Sequence, residues 1–255
     1  MSETASGAND MTTTARTIQY PVRLTGELDP HLSRWLWLVK MFLAIPQYVV
    51  LAFLLVAFAV ASVLAGVAIV FTGRYPRSLF DFNVGVLRWN WRVGFYAYAA
   101  LGTDRYPPFT LARTDYPADF DVAYPEHLSR GLVLVKWLLA LPHLLIVGLI
   151  AADLLRYPWT TGIDWTSGFQ PVGGSSVFNL LVVVAGFFLL ITGAYPRGLF
   201  DLLIGINRWL YRVVCYVALL RDDYPPFRLD QGQHEPADVD SLRPAAIPEL
   251  VSTPA

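Results

Sequence analysis

The segment from Tyr75 to Leu101, YPRSLFDFNVGVLRWNWRVGFYAYAAL, recurs 120 residues later as YPRGLFDLLIGINRWLYRVVCYVALL. The repetition keeps four charges in place: Arg77, Asp81, Arg88 and Arg92 in the first copy, and Arg197, Asp201, Arg208 and Arg212 in the second. Any fold of this chain must offer two equivalent environments in which a strongly apolar segment satisfies three arginines and an aspartate. The duplication reaches upstream, where HLSRWLWLVKMFLAIP (His31 to Pro46) matches HLSRGLVLVKWLLALP (His127 to Pro142) at an offset of 96, and downstream, where DRYPPFTL matches DDYPPFRL. Because the offset grows from 96 to 120, the second copy carries 24 additional residues between Pro142 and Thr192. The repeats are read as 20–111 and 116–229, with an inserted Gly-, Pro- and Trp-containing loop at 153–176. The polar tail 1–19 and the Pro-rich tail 230–255 are expected to be disordered.

Composition assigns the class. Hydrophobic residues make up 55% and charged residues only 15% of the 255 residues, and the uncharged run from Met41 to Phe71 exceeds the roughly 20 apolar residues that cross a bilayer. An integral membrane protein is expected. A net charge of -1 lacks the basic surplus with which proteins displace counterions from nucleic acid, so no nucleic-acid partner is expected. A single cysteine, Cys215, excludes an internal disulfide and a cysteine-based zinc site.

The inserted loop separates two apolar segments, Leu132 to Ala152 and Val177 to Thr192, and insertions are tolerated at turns rather than within helices. By alignment, the first copy is expected to turn near Val56 to Ala59, so that each repeat begins with a transmembrane helical hairpin. The alternative is one long helix kinked at Pro46, the residue repeated at Pro142. The hairpin gathers Arg34, Lys40, Arg74, Arg77, Arg130, Lys136 and Arg197 on one side, leaving Arg156 opposite, which the preference of basic residues for the cytoplasmic side favours.

The third helix of each repeat is amphipathic. At 100° per residue, Arg77, Asp81, Gly85, Arg88 and Arg92 share one narrow stripe, as do Arg197, Asp201, Gly205, Arg208 and Arg212. A central Arg or Asp costs roughly 2.5–3.5 kcal/mol on insertion, whereas each Leu, Phe or Val returns about 0.3–0.6. The expected position is therefore interfacial, with Trp and Tyr at headgroup level; a spanning helix with the stripe facing protein is the alternative. Short surface β-strands are expected between the copies, in YPPFTLARTDYPADFDVAYPEH, and in the similar QYPVRLTG at the start and YPPFRL at the end, in a small sheet that joins both copies.

These strings resemble the prokaryotic membrane-protein family called domain of unknown function 4389, here in tandem. The resemblance rests on HLSRWLWLVKMFLAIP, TGRYPRSLFDFNVGVLRWNWRV and DRYPPF, and covers roughly residues 20–111 and 116–229, nearly all of the chain between the two tails. It implies an integral membrane protein of no established activity and brings no catalytic residues with it.

The eight stripe residues are the candidate site, either as a structural Arg–Asp network or as contacts to lipid phosphate, which Arg grips bidentately. Asp81 and Asp201 are the expected partners of the arginines. His31 and His127, Ser33 and Ser129 read as helix-entry residues, and Asp104, Asp222 and Asp223 as turn residues. No catalytic grouping, metal cluster or cofactor motif emerges, so a non-enzymatic multi-pass protein of the cell membrane is expected. Its partners would be membrane lipids, anionic ones among them, and its termini and basic segments would be cytoplasmic. A channel or transporter lined by the stripes is the alternative, and an enzyme acting on lipid is a remote third.

Overall fold

The computed structural model describes residues 20–151 and 177–232, with the side chains of 149–151 excepted. The expectations for both tails up to residue 19 and from 233, for the loop 153–176 and for Arg156 lie outside the described residues. Within them the chain is mainly helical with one two-stranded sheet. Strand β1 (Val22–Gly26) is followed by α1 (Leu36–Leu43), α2 (Ile45–Thr72), α3 (Arg77–Ala97), β2 (Ala118–Val122), α4 (Arg130–Leu139), α5 (Leu141–Ala151), α6 (Val177–Thr192) and α7 (Arg197–Val217).

The hairpin expected within 35–72 is not formed. Helix α2 runs unbroken for 28 residues through Val56 to Ala59, a length of about 42 Å at 1.5 Å per residue. The break falls instead at Ala44, between α1 and α2. Pro46 sits in the first turn of α2, where its missing N–H costs nothing but where it cannot continue the preceding helix. Ala140 and Pro142 repeat the break between α4 and α5. The insertion therefore occupies a position that is mid-helix in the first copy, which explains why no Gly or Pro marks a turn there. In the second copy α5 and α6 flank it.

The sheet expected to join the copies is present, but it takes its two strands from QYPVRLTG and from the segment between the copies, and YPPFRL forms none. β1 and β2 are antiparallel, with Val22 opposite Val122, Leu24 opposite Phe120 and Gly26 opposite Ala118. Under the offset of 96, Leu24 corresponds to Phe120, Val22 to Ala118 and Gly26 to Val122, so the pairing maps onto itself about the Leu24–Phe120 pair. Alternation directs Val22, Leu24, Ala118, Phe120 and Val122 into the core, and Arg23, Asp119 and Asp121 away from it.

Helices α3 and α7 form a middle layer. One face of each meets the sheet, and the other is covered by α1 and α2 or by α4, α5 and α6. Antiparallel contact of α2 with α3 is fixed along its length. Asn83 Nδ2 donates to Ser62 Oγ at 3.1 Å and to Tyr75 Oη at 2.8 Å, Leu51 packs on Trp89 and Val93, and Ala44 packs on Tyr96 and Ala97. Where α3 and α7 approach each other, Trp91, Phe95, Phe200 and Tyr211 pack with ring centroids 5.5–6.1 Å apart. Asn90 Nδ2 donates to Tyr211 Oη at 2.8 Å.

The outer layer inverts the usual pattern. Phe53, Val56, Val63, Phe71, Leu134 and Leu145 are all more than 60% exposed, and α2 buries only a single stripe through Gln47, Leu51, Ala61, Ala65 and Ile69. Two helical stretches, Ile45–Thr72 and Arg130–Gly148, are long and apolar enough to cross a membrane.

Helices α2 and α6 end on Gly73 and Gly193, both with positive φ (72° and 68°). Alanine in that left-handed conformation costs about 1–2 kcal/mol. Gly73→Ala is expected to lower the unfolding free energy by about that amount in denaturant titration, whereas alanine at the open, helical Gly198 should not.

Candidate functional site

Four of the duplicated arginines, Arg88, Arg92, Arg208 and Arg212, lie in the middle layer and are consumed there. Pro21 and Glu27 extend the strand ladder, with Ala123 N donating to Pro21 O and Glu27 N to Pro117 O. Hydrogen-bonded pairs therefore fall at odd positions of β1, and Leu24 and Phe120 form a non-hydrogen-bonded pair whose carbonyls point away from the partner strand. Each of those carbonyls is met by a guanidinium. Arg88 Nε donates to Phe120 O at 2.8 Å, and Arg208 Nε and Nη2 donate to Leu24 O at 3.1 and 2.9 Å. The arrangement is crossed: the arginine of the first copy holds the strand of the second, and the reverse.

The remaining donors bind the segments that follow each helix. Arg88 Nη1 donates to Leu111 O and Arg92 Nη1 to Ala112 O, at 3.1 and 2.9 Å. Arg208 donates to the carbonyls of Asp230 and Gly232. Gly85 and Gly205 on the same stripe make room for this crossing, since a Cβ on Gly85 would lie 2.9 Å from Leu111 Cβ. The carboxylate partners are Asp119 and Asp121 for Arg88, both at 3.2 Å, Asp119 for Arg92 at 3.6 Å, and Asp230 for Arg212 at 2.6 Å. Arg113 also pairs with Asp121, and this contact raises its pKa. Burial lowers that of Arg92, against the opposing pull of Asp119. Burial likewise pushes the Tyr75 phenol up to about 12.

Asp81 and Asp201, the expected partners, do not reach these arginines. Asp81 is exposed and Asp201 half-buried, and neither forms an ion pair among the described residues. Arg77 and Arg197 are also exposed; the Arg77 guanidinium stands 4.6 Å from the Tyr124 ring centroid. The stripe thus divides. Its lower half, Arg88, Arg92, Arg208 and Arg212, is at most 8% exposed, and its first turn opens outward. An interfacial α3 with all its charges at headgroup level does not fit this burial: the internal carbonyls and carboxylates supply what water or lipid would otherwise have to.

A second duplicated site escaped the sequence reading. Lys40 Nζ is fully buried, 2.7 Å from Asp104 Oδ1 and 2.6 Å from Thr103 O. Lys136 Nζ lies 2.6 Å from Asp222 Oδ1 and 2.8 Å from Arg221 O. The other oxygen of each carboxylate accepts from the backbone N–H of Ser33 or Ser129, at 2.6 and 2.7 Å. Asp104 and Asp222 are therefore not mere turn residues: each anchors the start of an entry helix to the segment that leaves the third helix. Only Asp223 keeps a local role, paired with Arg221 at 2.8 Å. Lys40 and Lys136 likewise drop out of the count of free basic residues used to orient the helices. The signal was available, since a lone lysine recurs within each apolar run and is followed by an Asp-x-Tyr-Pro-Pro-Phe string, 64 residues on in the first copy and 86 in the second, which carries the insertion.

What remains exposed and cationic is a different set. Arg34, Arg74, Arg77, Arg130 and Arg197 are exposed and form no ion pair among the described residues. Arg130 lies over the C-terminus of α2, its Nε 3.4 Å from where a Gly73 Cβ would stand, and Arg34 lies against Gly193 at the C-terminus of α6. Helix C-termini carry partial negative charge, which attracts these cations. No group of three or more His, Cys, Asp or Glu side chains is arranged to hold a metal ion among the described residues.

Fold and site together define a mainly helical protein with an apolar outer layer, braced inside by crossed arginines and paired lysine–aspartate clamps. The family described as Domain of unknown function (DUF4389) matches residues 34–110 and 174–228. With just over half of its length matched, the chain belongs to that family. No curated protein and no solved structure matches it.

Proposed function

We propose that this is a non-enzymatic membrane protein, built from two tandem repeats about a local twofold, that engages anionic lipid headgroups at the cytoplasmic surface of the cell membrane. The outer layer would lie in the bilayer, because an apolar surface of this extent requires a nonaqueous or protein partner. The observation that carries the lipid reading is the set of five exposed arginines without carboxylate partners, placed in two groups where the apolar helices α2 and α6 end. Basic residues near an anionic membrane surface contribute about 1 kcal/mol each, and guanidinium matches phosphate bidentately. The buried arginines of α3 and α7 act in this reading as internal braces. A conduit lined by the stripes has no comparable observation behind it.

The test has two parts. The full chain should stay in the pellet when membranes are washed with alkaline carbonate. In mixed micelles, replacing Arg34, Arg74, Arg77, Arg130 and Arg197 by Ala should weaken binding of phosphatidylglycerol more than about tenfold, with little change for phosphatidylcholine. Equal binding by the variant and the parent protein would remove the headgroup assignment.

A further inference from the structure

The lipid reading can be carried from headgroup to chain. Between α2 on one side and α4, α5 and α7 on the other lies an open crevice of about 610 Å³. Its walls include Val63, Val67 and Val70 of α2, Val133 and Leu134 of α4, and Val213 of α7. Ser62 contributes a hydroxyl, but that oxygen already donates to Phe58 O at 2.8 Å and accepts from Asn83 Nδ2 at 3.1 Å. The crevice therefore offers an occupant almost nothing but dispersion and exclusion of water.

Its dimensions and its end point to the occupant. Along α2 the lining runs from Phe58 to Val70, about 18 Å at 1.5 Å per residue. One turn beyond Val70 comes the C-terminus of α2 at Gly73, where the guanidinium of Arg130 lies against the residue that precedes the exposed Arg74. A long apolar slot ending under unpaired cations is complementary to a molecule with an extended hydrocarbon chain and an anionic head.

The duplication shows how the slot arises. Gly66 corresponds to Gly186, and Val133 to Trp37. In the other half the Trp37 indole packs directly on Gly186, 2.9 Å from where a Cβ would stand. Here Val133 approaches Gly66 only to 3.8 Å by the same measure, and the nearest atom is instead Leu219 Cδ1 at 3.0 Å. Leu219 covers Gly66 from one side, and valine in place of tryptophan leaves the rest of the indole's volume to the crevice, which Gly66, Val133 and Leu219 all line.

We infer that this crevice is a binding site for one acyl chain of an anionic phospholipid, with its phosphate held by Arg130 and Arg74. The inference rests on the membrane reading above, and it adds a stoichiometric site on one side of the molecule only. The test uses the full chain, purified in mild detergent, stripped of lipid, and titrated with phosphatidylglycerol or phosphatidylcholine while native mass spectrometry counts bound lipids. The parent protein should hold one phosphatidylglycerol at least about tenfold more tightly than further copies, and in preference to phosphatidylcholine. Val133→Trp should abolish that first site, Arg130→Ala should keep a bound lipid but lose the headgroup preference, and Trp37→Val should leave the first site intact. Glycerol phosphate, a head without chains, should not compete. Should Val133→Trp fail to fold by circular dichroism, Val63→Trp at the crevice mouth replaces it. Undiminished single-lipid binding by a folded crevice-filling variant, or full competition by glycerol phosphate, overturns the inference while leaving the membrane reading standing. A chain released by the carbonate wash overturns the membrane reading itself.

Discussion

Arg208→Met should lower the unfolding free energy by about 3–5 kcal/mol, the range for removing one partner from a buried charged network. The side chain is 1% exposed, and its guanidinium serves the carbonyls of Leu24, Asp230 and Gly232. Methionine fills much of the same volume but donates nothing, so those carbonyls lose donors in a place water reaches poorly. The damage should also spread beyond α7. A two-stranded sheet is marginal by itself, and Arg208 is the contact by which the second copy holds the strand of the first. Hydrogen exchange should therefore speed up at β1 more than at the remote start of α2. Arg88→Met should do the same at β2, more mildly, because Arg88 is 8% exposed and Arg113 remains to satisfy Asp121. Arg197→Met, at an exposed position of the same stripe, should change stability by no more than about 0.5 kcal/mol. Equal effects at Arg197 and Arg208 would contradict the division of the stripe into braces and exposed cations.

The division also shows what the sequence could and could not reveal. Helical periodicity placed the arginines on one face correctly, because spacings of three and four are a local property of the chain. Their partners were misjudged because Asp119 and Asp121 sit on a strand of alternating polar and apolar residues, and strand alternation tells only that they share a face. Which arginine reaches past the outer edge of that strand to meet them depends on the crossed pairing of β1 with β2, a nonlocal fact. The hairpin expectation failed for a related reason. The insertion in the second copy was taken to mark a turn in the first, yet the uninterrupted apolar residues of α2 carry no turn signal and continue as helix. Pro46 and Pro142, visible in both copies, marked the real break. Lys40 and Lys136 were read as flanking charges because hydropathy treats a lysine as a helix-end residue. The recurrence of a lysine and an Asp-x-Tyr-Pro-Pro-Phe string in both copies pointed to the pair, but that each ammonium is enclosed follows only from the packing of the Asp104 and Asp222 segments against α1 and α4.

That enclosure makes the lysine–aspartate clamp asymmetric, and the asymmetry gives the second large effect. Asp104→Ala should cost about 3–5 kcal/mol, since it strands a fully buried ammonium with only the Thr103 carbonyl as a close acceptor. Lys40→Met should cost less, about 1–2 kcal/mol: the Asp104 side chain is 21% exposed and its other oxygen keeps the Ser33 N–H. In the double variant the stranded charge is gone, so its stability should lie near that of Lys40→Met alone rather than at the sum of the two losses. The same cycle on Lys136 and Asp222 should repeat the pattern, since Lys136 is 1% exposed and Asp222 25%. Denaturant unfolding of the parent and the six variants in a single detergent provides the comparison. If the aspartate variants prove no worse than the lysine variants, the ammonium groups are hydrated, and the clamp cannot be what ties each entry helix to the chain leaving the third helix.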